Sequence, residues 1–213
     1  MKVVVKGDDG GNQGLGADLI NWNPPYPFTM VGGTNLYYRW WMRIEPGFSW
    51  GNGTAKTKSS RCFSDPSGGQ GYTGYVTSTS VLLAECGDDP SQCADHTGAS
   101  NASDSKIGVA YDFASANDGK WHEYIVRVKS NTSPTCVAGT NCDAELELFV
   151  DANSVGLYKG FKITNAQTTA HMNEAWGGWM VRPYFQLNGT PSDGGTMYLD
   201  DFSTDDSYNS LIP

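Results

Sequence analysis

Positive charge is scarce in this chain. Fourteen lysines and arginines stand against 23 aspartates and glutamates over 213 residues, a formal net charge of −9 at pH 7. That balance argues against a general nucleic-acid or anionic-membrane binder, although it leaves room for a local basic groove. Long apolar runs are also missing, so the sequence shows neither a leader-like segment nor a membrane span. The only histidines, His96, His122 and His171, fall in no ligand pattern, and none of the five cysteines forms a C-x-x-C pair. Those two absences exclude a zinc framework. No internal repeat and no linker interrupts the chain, and its length suits one domain spanning 1–213 with a substantial core.

Glycine is plentiful at 26 residues, aromatics make up 12%, and Ser/Thr/Asn/Asp clusters separate short apolar runs. This profile predicts an all-β fold, a two-sheet antiparallel sandwich with long loops and at most one short helix, placed at Thr164–Ala175. Strands are expected at Val3–Lys6, 36–44, Tyr72–Leu83 (one strand or two), Ile107–Phe113, Trp121–Lys129, Glu145–Asp151, Val155–Ile163, Trp179–Leu187 and Thr196–Thr204. A long loop from Glu45 to Asp65 is expected to carry Lys56, Lys58 and Arg61, either closing over an acidic chain or simply facing water.

Cys86 and Cys93, like Cys136 and Cys142, bracket a polar loop of turn formers. Both pairs read as short disulfide-closed loops of an oxidising compartment, leaving Cys62 as a free thiol. The chain is therefore expected to be extracellular or secreted, with cell surface and periplasm as variants. Sequons begin at Asn52, Asn101, Asn131 and Asn188, a number that this Asn/Ser/Thr-rich composition produces by chance.

The most informative segment is Leu-Tyr-Tyr-Arg-Trp-Trp-Met-Arg-Ile at 36–44. With a period of two, Leu36, Tyr38, Trp40, Met42 and Ile44 form a core face. Tyr37, Arg39, Trp41 and Arg43 form the other, which interleaves rings with guanidinium groups. Two readings are open. Such a face grips sugar rings and their acidic substituents, or a second layer covers it and its arginines are paired. Strand 179–187 repeats the pattern, with Arg182, Tyr184 and Gln186 on the mixed side.

Asp118-Gly119-Lys120-Trp121-His122-Glu123, followed by Leu146-Glu147-Leu148-Phe149-Val150-Asp151, resembles a paired-strand signature of concanavalin-A-like (laminin-G-like) jelly rolls. Tyr198-Leu199-Asp200-Asp201-Phe202 is similar to their closing strand, and Tyr37 to Trp41 with Pro46-Gly47-Phe48 to a strand and turn of polysaccharide-lyase-like secreted proteins. The resemblance implies a jelly roll but is a poor guide to activity, because one superfold hosts lectins, hydrolases and lyases. The E-x-D-x-E strand of jelly-roll glucanases is missing, which disfavours a glycoside hydrolase. Of the R-x-E-x-R strand of alginate-lyase-type jelly rolls only Arg39 and Arg43 remain, with Trp41 in the central place, and no Q-x-H strand exists.

The leading expectation is a carbohydrate-binding jelly roll gripping a polysaccharide, acidic by preference, on one concave sheet lined by Tyr37, Arg39, Trp41, Arg43, Arg182, Tyr184 and Gln186. One alternative is a polysaccharide lyase acting by β-elimination on a uronic-acid polymer, with Tyr184, His171 and Arg39 as its catalysts. The other is a structural or adhesive module of a larger multidomain protein or surface assembly. His122, in the apolar register of its strand, is expected to be structural. In similar jelly rolls an acidic pair like Asp200 and Asp201 supports a structural calcium, and an inward-leaning Asp200 is its expected ligand.

Overall fold

The computed structural model describes residues 2–6, 19–20, 33, 35–50, 56–63, 71–76, 80–85, 106–129, 132–133, 136, 140–161, 178–181, 184–186, 194–205 and 207–208. Within these the ordered elements are strands: β1 (Lys2–Lys6), β2 (Leu19–Ile20), β3 (Asn35–Ile44), β4 (Lys56–Phe63), β5 (Gly71–Val76), β6 (Ser80–Glu85), β7 (Lys106–Ala110), β8 (Trp121–Lys129), β9 (Ala144–Val150), β10 (Asn153–Phe161), β11 (Gly178–Val181), β12 (Tyr184–Gln186) and β13 (Gly194–Asp205). For β1, β2, β4 to β6, β11 and β12 it is the backbone course and register that are described. No helix among the described residues is long and apolar enough to cross a membrane.

The strands make a two-sheet antiparallel sandwich of the jelly-roll kind. One sheet has the order β1-β13-β3-β8-β9-β10; the other runs β2-β11-β4-β5-β6-β7, with β12 also paired to β4. Alternation builds the core between them. From the first sheet Tyr38, Trp40, Met42, Ile44, Tyr124, Val126, Leu146, Leu148, Met197 and Leu199 are buried. Trp40 stacks on Tyr38 and on Tyr124, each at 5.4 Å between ring centroids. Burying such rings supplies most of the driving force for closing a sandwich of this size.

Where β7 crosses β10 the sheets come close enough to demand glycine. A Cβ added at Gly156 would lie 2.3 Å from Val109 Cγ1. Val109 is buried and its neighbour Ala110 is exposed, which fixes the inner and outer parity of the seven-stranded sheet.

Three expectations about strands change. Residues 56–63, read as loop, form β4. The segment 107–113 stops being a strand at Ala110: Asp112 Oδ1 accepts the N–H groups of Ala114 and Ser115 and turns the chain, with Phe113 still fully buried. The segment 179–187 is two strands, β11 and β12, with Pro183 between them in the sequence, a residue that has no N–H for a ladder. Tyr72–Leu83 resolves as β5 and β6. Cys136 and Cys142 form the expected disulfide. The Cys86/Cys93 pair and the helix at 164–175 lie outside the described residues.

Candidate functional site

The two strands that carry mixed aromatic and arginine faces do not share a sheet. β3 pairs with β13 and β8, whereas β12 pairs with β4 in the opposite sheet. The single groove expected from Tyr37, Arg39, Trp41 and Arg43 together with Tyr184 and Gln186 therefore does not form, and Arg39 cannot work beside Tyr184 on one sugar. Arg182 and His171 lie outside the described residues. The physical reason is simple. Alternation reports which side of a strand is polar and carries no information about which sheet the strand joins.

On the outer side of the six-stranded sheet the arginines of β3 are held by carboxylates. Arg39 Nε stands 3.7 Å from Glu123 Oε1, and its Nη2 contacts Asp201. Arg43 donates from Nε to Glu45 Oε1 at 2.9 Å, and its guanidinium lies 4.5 Å over the Tyr198 ring. Arg127 pairs with Glu147 at 2.8 Å and with Glu145, Lys129 with Asp143 at 3.3 Å, and Lys159 with Glu145 at 3.3 Å. Ile125, of the same parity, is fully buried. Tyr208 leans on Phe149 at 4.9 Å and on Tyr37 at 5.8 Å, and burial pushes the Tyr37 phenol up. Over Tyr37 and Arg39 this is the second of the two readings left open by the sequence: a covered face with paired arginines.

His122 is structural in the way its register implies. Its ring nitrogens meet Asp151 Oδ2 at 2.7 Å and Asp118 Oδ1 at 3.2 Å, while Asp151 Oδ1 accepts the Glu123 N–H at 2.9 Å. Burial works against the charged ring, but the two carboxylates outweigh it and the His122 pKa is raised. The Asp-Gly-x-Trp-His turn and the distant Val-Asp strand end are thus one staple.

The acidic pair on β13 differs from expectation. Asp200 is exposed, opposite Trp41 on the outer side, and accepts the Asp201 N–H at 3.0 Å; Asp201 is engaged by Arg39. Among the described residues no three carboxylate, histidine or cysteine side chains gather.

For the seven-stranded sheet the backbone register shows which residues share a side. On the parity of the exposed Ala110 the register aligns Tyr184, Lys58, Tyr75 and Leu82 in one row and Met180, Arg61, Thr73, Ala84 and Lys106 in the next, with Gln186 opposite Lys56. Lys58 and Arg61 are three apart and would fall on opposite sides of a regular strand. A register shift between Lys58 and Ser60 gives them the same parity. Four of the 14 basic residues thus occupy one parity of one sheet, and no Asp or Glu stands at a cross-strand position beside them. Two signals for this row were present in the sequence, the K-T-K-S-S-R run and Tyr184; the irregular period of the run hid it.

No family model and no curated protein matches the chain. Solved structures do resemble it. The binding domain of botulinum neurotoxin serotype D superposes with a TM-score of 0.52 at 10% identity, covering 99% of this chain and 40% of that one. Alginate lyase vAL-1 from Chlorella virus gives 0.47 at 10% identity over 82% of this chain and 72% of that one. The marine PL-14 alginate lyase from Aplysia kurodai gives 0.47 at 11%, over 82% and 70%. At such identities the likeness concerns the fold.

Proposed function

We propose that the chain is an extracellular carbohydrate-binding jelly roll that holds an acidic polysaccharide along the outer side of its seven-stranded sheet. The observation that carries this reading is the register of β4, β12 and β5, which lines up Lys56, Lys58 and Arg61 with Tyr184, Gln186 and Tyr75 in a chain otherwise of strong negative charge. Lys56 and Lys58 follow each other at about 7 Å along one strand, cations are the groups that hold uronate or sulfate, and the tyrosines at the neighbouring register positions are of the type that stacks on sugar rings. The Cys136–Cys142 disulfide supports an oxidising compartment. Proteins of similar fold include ones whose names declare alginate lyases and a toxin binding domain.

A second reading is favoured by one detail, the direct opposition of Tyr184 and Lys58. Cross-strand partners lie about 5 Å apart, so a tyrosine and a lysine hold positions within the span of one sugar ring. In β-elimination a base takes the proton next to the uronate carboxyl, a cation such as Arg61 neutralises that carboxylate, and an acid protonates the departing glycosidic oxygen as the double bond forms.

Native affinity gels containing alginate or polygalacturonate separate these outcomes. Retardation without an ultraviolet-absorbing unsaturated product means binding, and appearance of that product means a lyase. Lys58→Ala should weaken retention and flatten its salt dependence. A wild-type chain that neither slows in nor cleaves any polyanionic glycan, and instead self-assembles, would replace the proposal with a structural module.

A further inference from the structure

At one end of the six-stranded sheet the outer side carries an exposed aromatic ring. β13, β3 and β8 place Tyr198, Arg43 and Trp121 side by side in one cross-strand row. Trp121 is 40% exposed, the most exposed tryptophan among the described residues, and its ring centroid lies 6.3 Å from that of Tyr198 with 57° between the planes. Trp41 and the exposed Asp200 sit on the adjacent row of the same side.

Arg43 is fixed rather than free. Its guanidinium lies on the Tyr198 ring, and Glu45 takes the Nε and Nη2 side of the fork, which leaves the Nη1 hydrogens as donors. Glu45 and Asp200 supply acceptors at the rim. Large ring faces bordered by a pre-oriented donor and carboxylate acceptors are the chemistry of sugar recognition: C–H faces of a pyranose stack on the rings, and hydroxyls meet the rim. Two rings inclined at 57° suit successive sugars turned relative to each other.

The local charge indicates which sugar. Arg43 is balanced by Glu45 and Lys120 by Asp118, and the charge of Asp200 offsets that of Lys2, whose backbone position lies beside Tyr198 in the same row. That balance leaves no net positive charge to favour a uronate. We infer that the Trp121/Tyr198/Arg43 row is a second glycan site, specific for a neutral polysaccharide chain and separate from the basic sheet on the other side of the sandwich. It does not depend on the acidic-polymer reading, and its probes differ.

The test uses native affinity gels containing hydroxyethylcellulose, laminarin or galactomannan, with tryptophan fluorescence as a second readout. At least one of these neutral polymers should retard the wild-type chain and shift its emission. Trp121→Ala should weaken that retention about tenfold, Trp121→Phe should restore part of it, and Lys58→Ala should leave it unchanged. Circular dichroism confirms folding of each variant, which the exposure of Trp121 favours. The inference is overturned if no neutral polymer retards the wild type or if Trp121→Ala retains it as well as the wild type does. It is equally overturned if light scattering shows a dimer that Trp121→Ala dissolves, because the rings then serve a second copy.

Discussion

Replacing Arg39 by Met separates a structural face from a binding one. The substitution keeps an apolar stem and removes the charge. Glu123, only 8% exposed, then loses its nearest cation. Breaking a buried ion pair on one side costs about 3–5 kcal/mol when burial is complete. Here both side chains are 11% exposed and the N···O separation is 3.7 Å, so the loss falls lower, at about 2–3 kcal/mol. The Asp201 half of the triad adds at most about 1 kcal/mol, because that carboxylate is 62% exposed. For a chain of this size the sum corresponds to a fall in Tm of about 5–10 °C.

The pH dependence has a definite sign. Burial raises the Glu123 pKa, and Arg39 is the group that opposes the rise. Without Arg39 the folded pKa climbs further above the unfolded value of 4.5. A raised carboxyl means that the folded state holds its proton more tightly than the unfolded state. The penalty is therefore absent below the unfolded value, grows as pH rises through the folded pKa, and is full above it. Urea unfolding of Arg39→Met at several pH values measures this. Adding Glu123→Gln should recover most of the stability and remove the pH dependence. If Arg39→Met stayed within about 0.5 kcal/mol of wild type while losing retention on alginate, the paired, covered description of this face would be wrong.

Gly156→Ala should destabilise by about 1–3 kcal/mol through overpacking against Val109, and Val109→Ala in the same chain should relieve part of it in a double-mutant cycle followed by urea unfolding. His122 has a raised pKa, so its contribution is complete below about pH 6.5 and fades as pH rises through the folded value; His122→Gln should flatten that decline in urea midpoints measured from roughly pH 5 to 9. Reducing or replacing the Cys136–Cys142 bridge should cost about 2 kcal/mol for so short a loop, read as a shift in thermal midpoint with and without reductant.

The parts of the fold legible in the sequence are those governed by local alternation. β8 begins and ends where the Asp118-Gly119-Lys120 turn and the pattern to Lys129 require, and β3 is displaced from its expected start by one residue. β4 was hidden by its own register shift, which breaks the period of two between Lys58 and Arg61. Phe113 shows the converse: its alternation with Val109 and Tyr111 reads as strand, yet Asp112 closes a turn and delivers the ring to the core by another route. The pairing of Arg39 with Asp201 joins residues 162 positions apart. No local pattern reports such a contact, so the sequence left the fate of that arginine open.

The cross-strand ladders of the two sheets set their cations beside different residue types. On the six-stranded sheet Glu147 stands opposite Arg127 and Glu145 opposite both Lys129 and Lys159, while Arg39 and Arg43, opposite Ile125 and Trp121, reach Glu123 and Glu45 off the ladder. Folding alone accounts for such matching, because a partly buried charge needs a partner. On the seven-stranded sheet Lys56, Lys58, Arg61 and Lys106 face Gln, Tyr, Thr, Met and Ala across the strands. The proposed acidic-polymer reading rests on that register, and the salt dependence of retention in Lys58→Ala is the measurement that tests it.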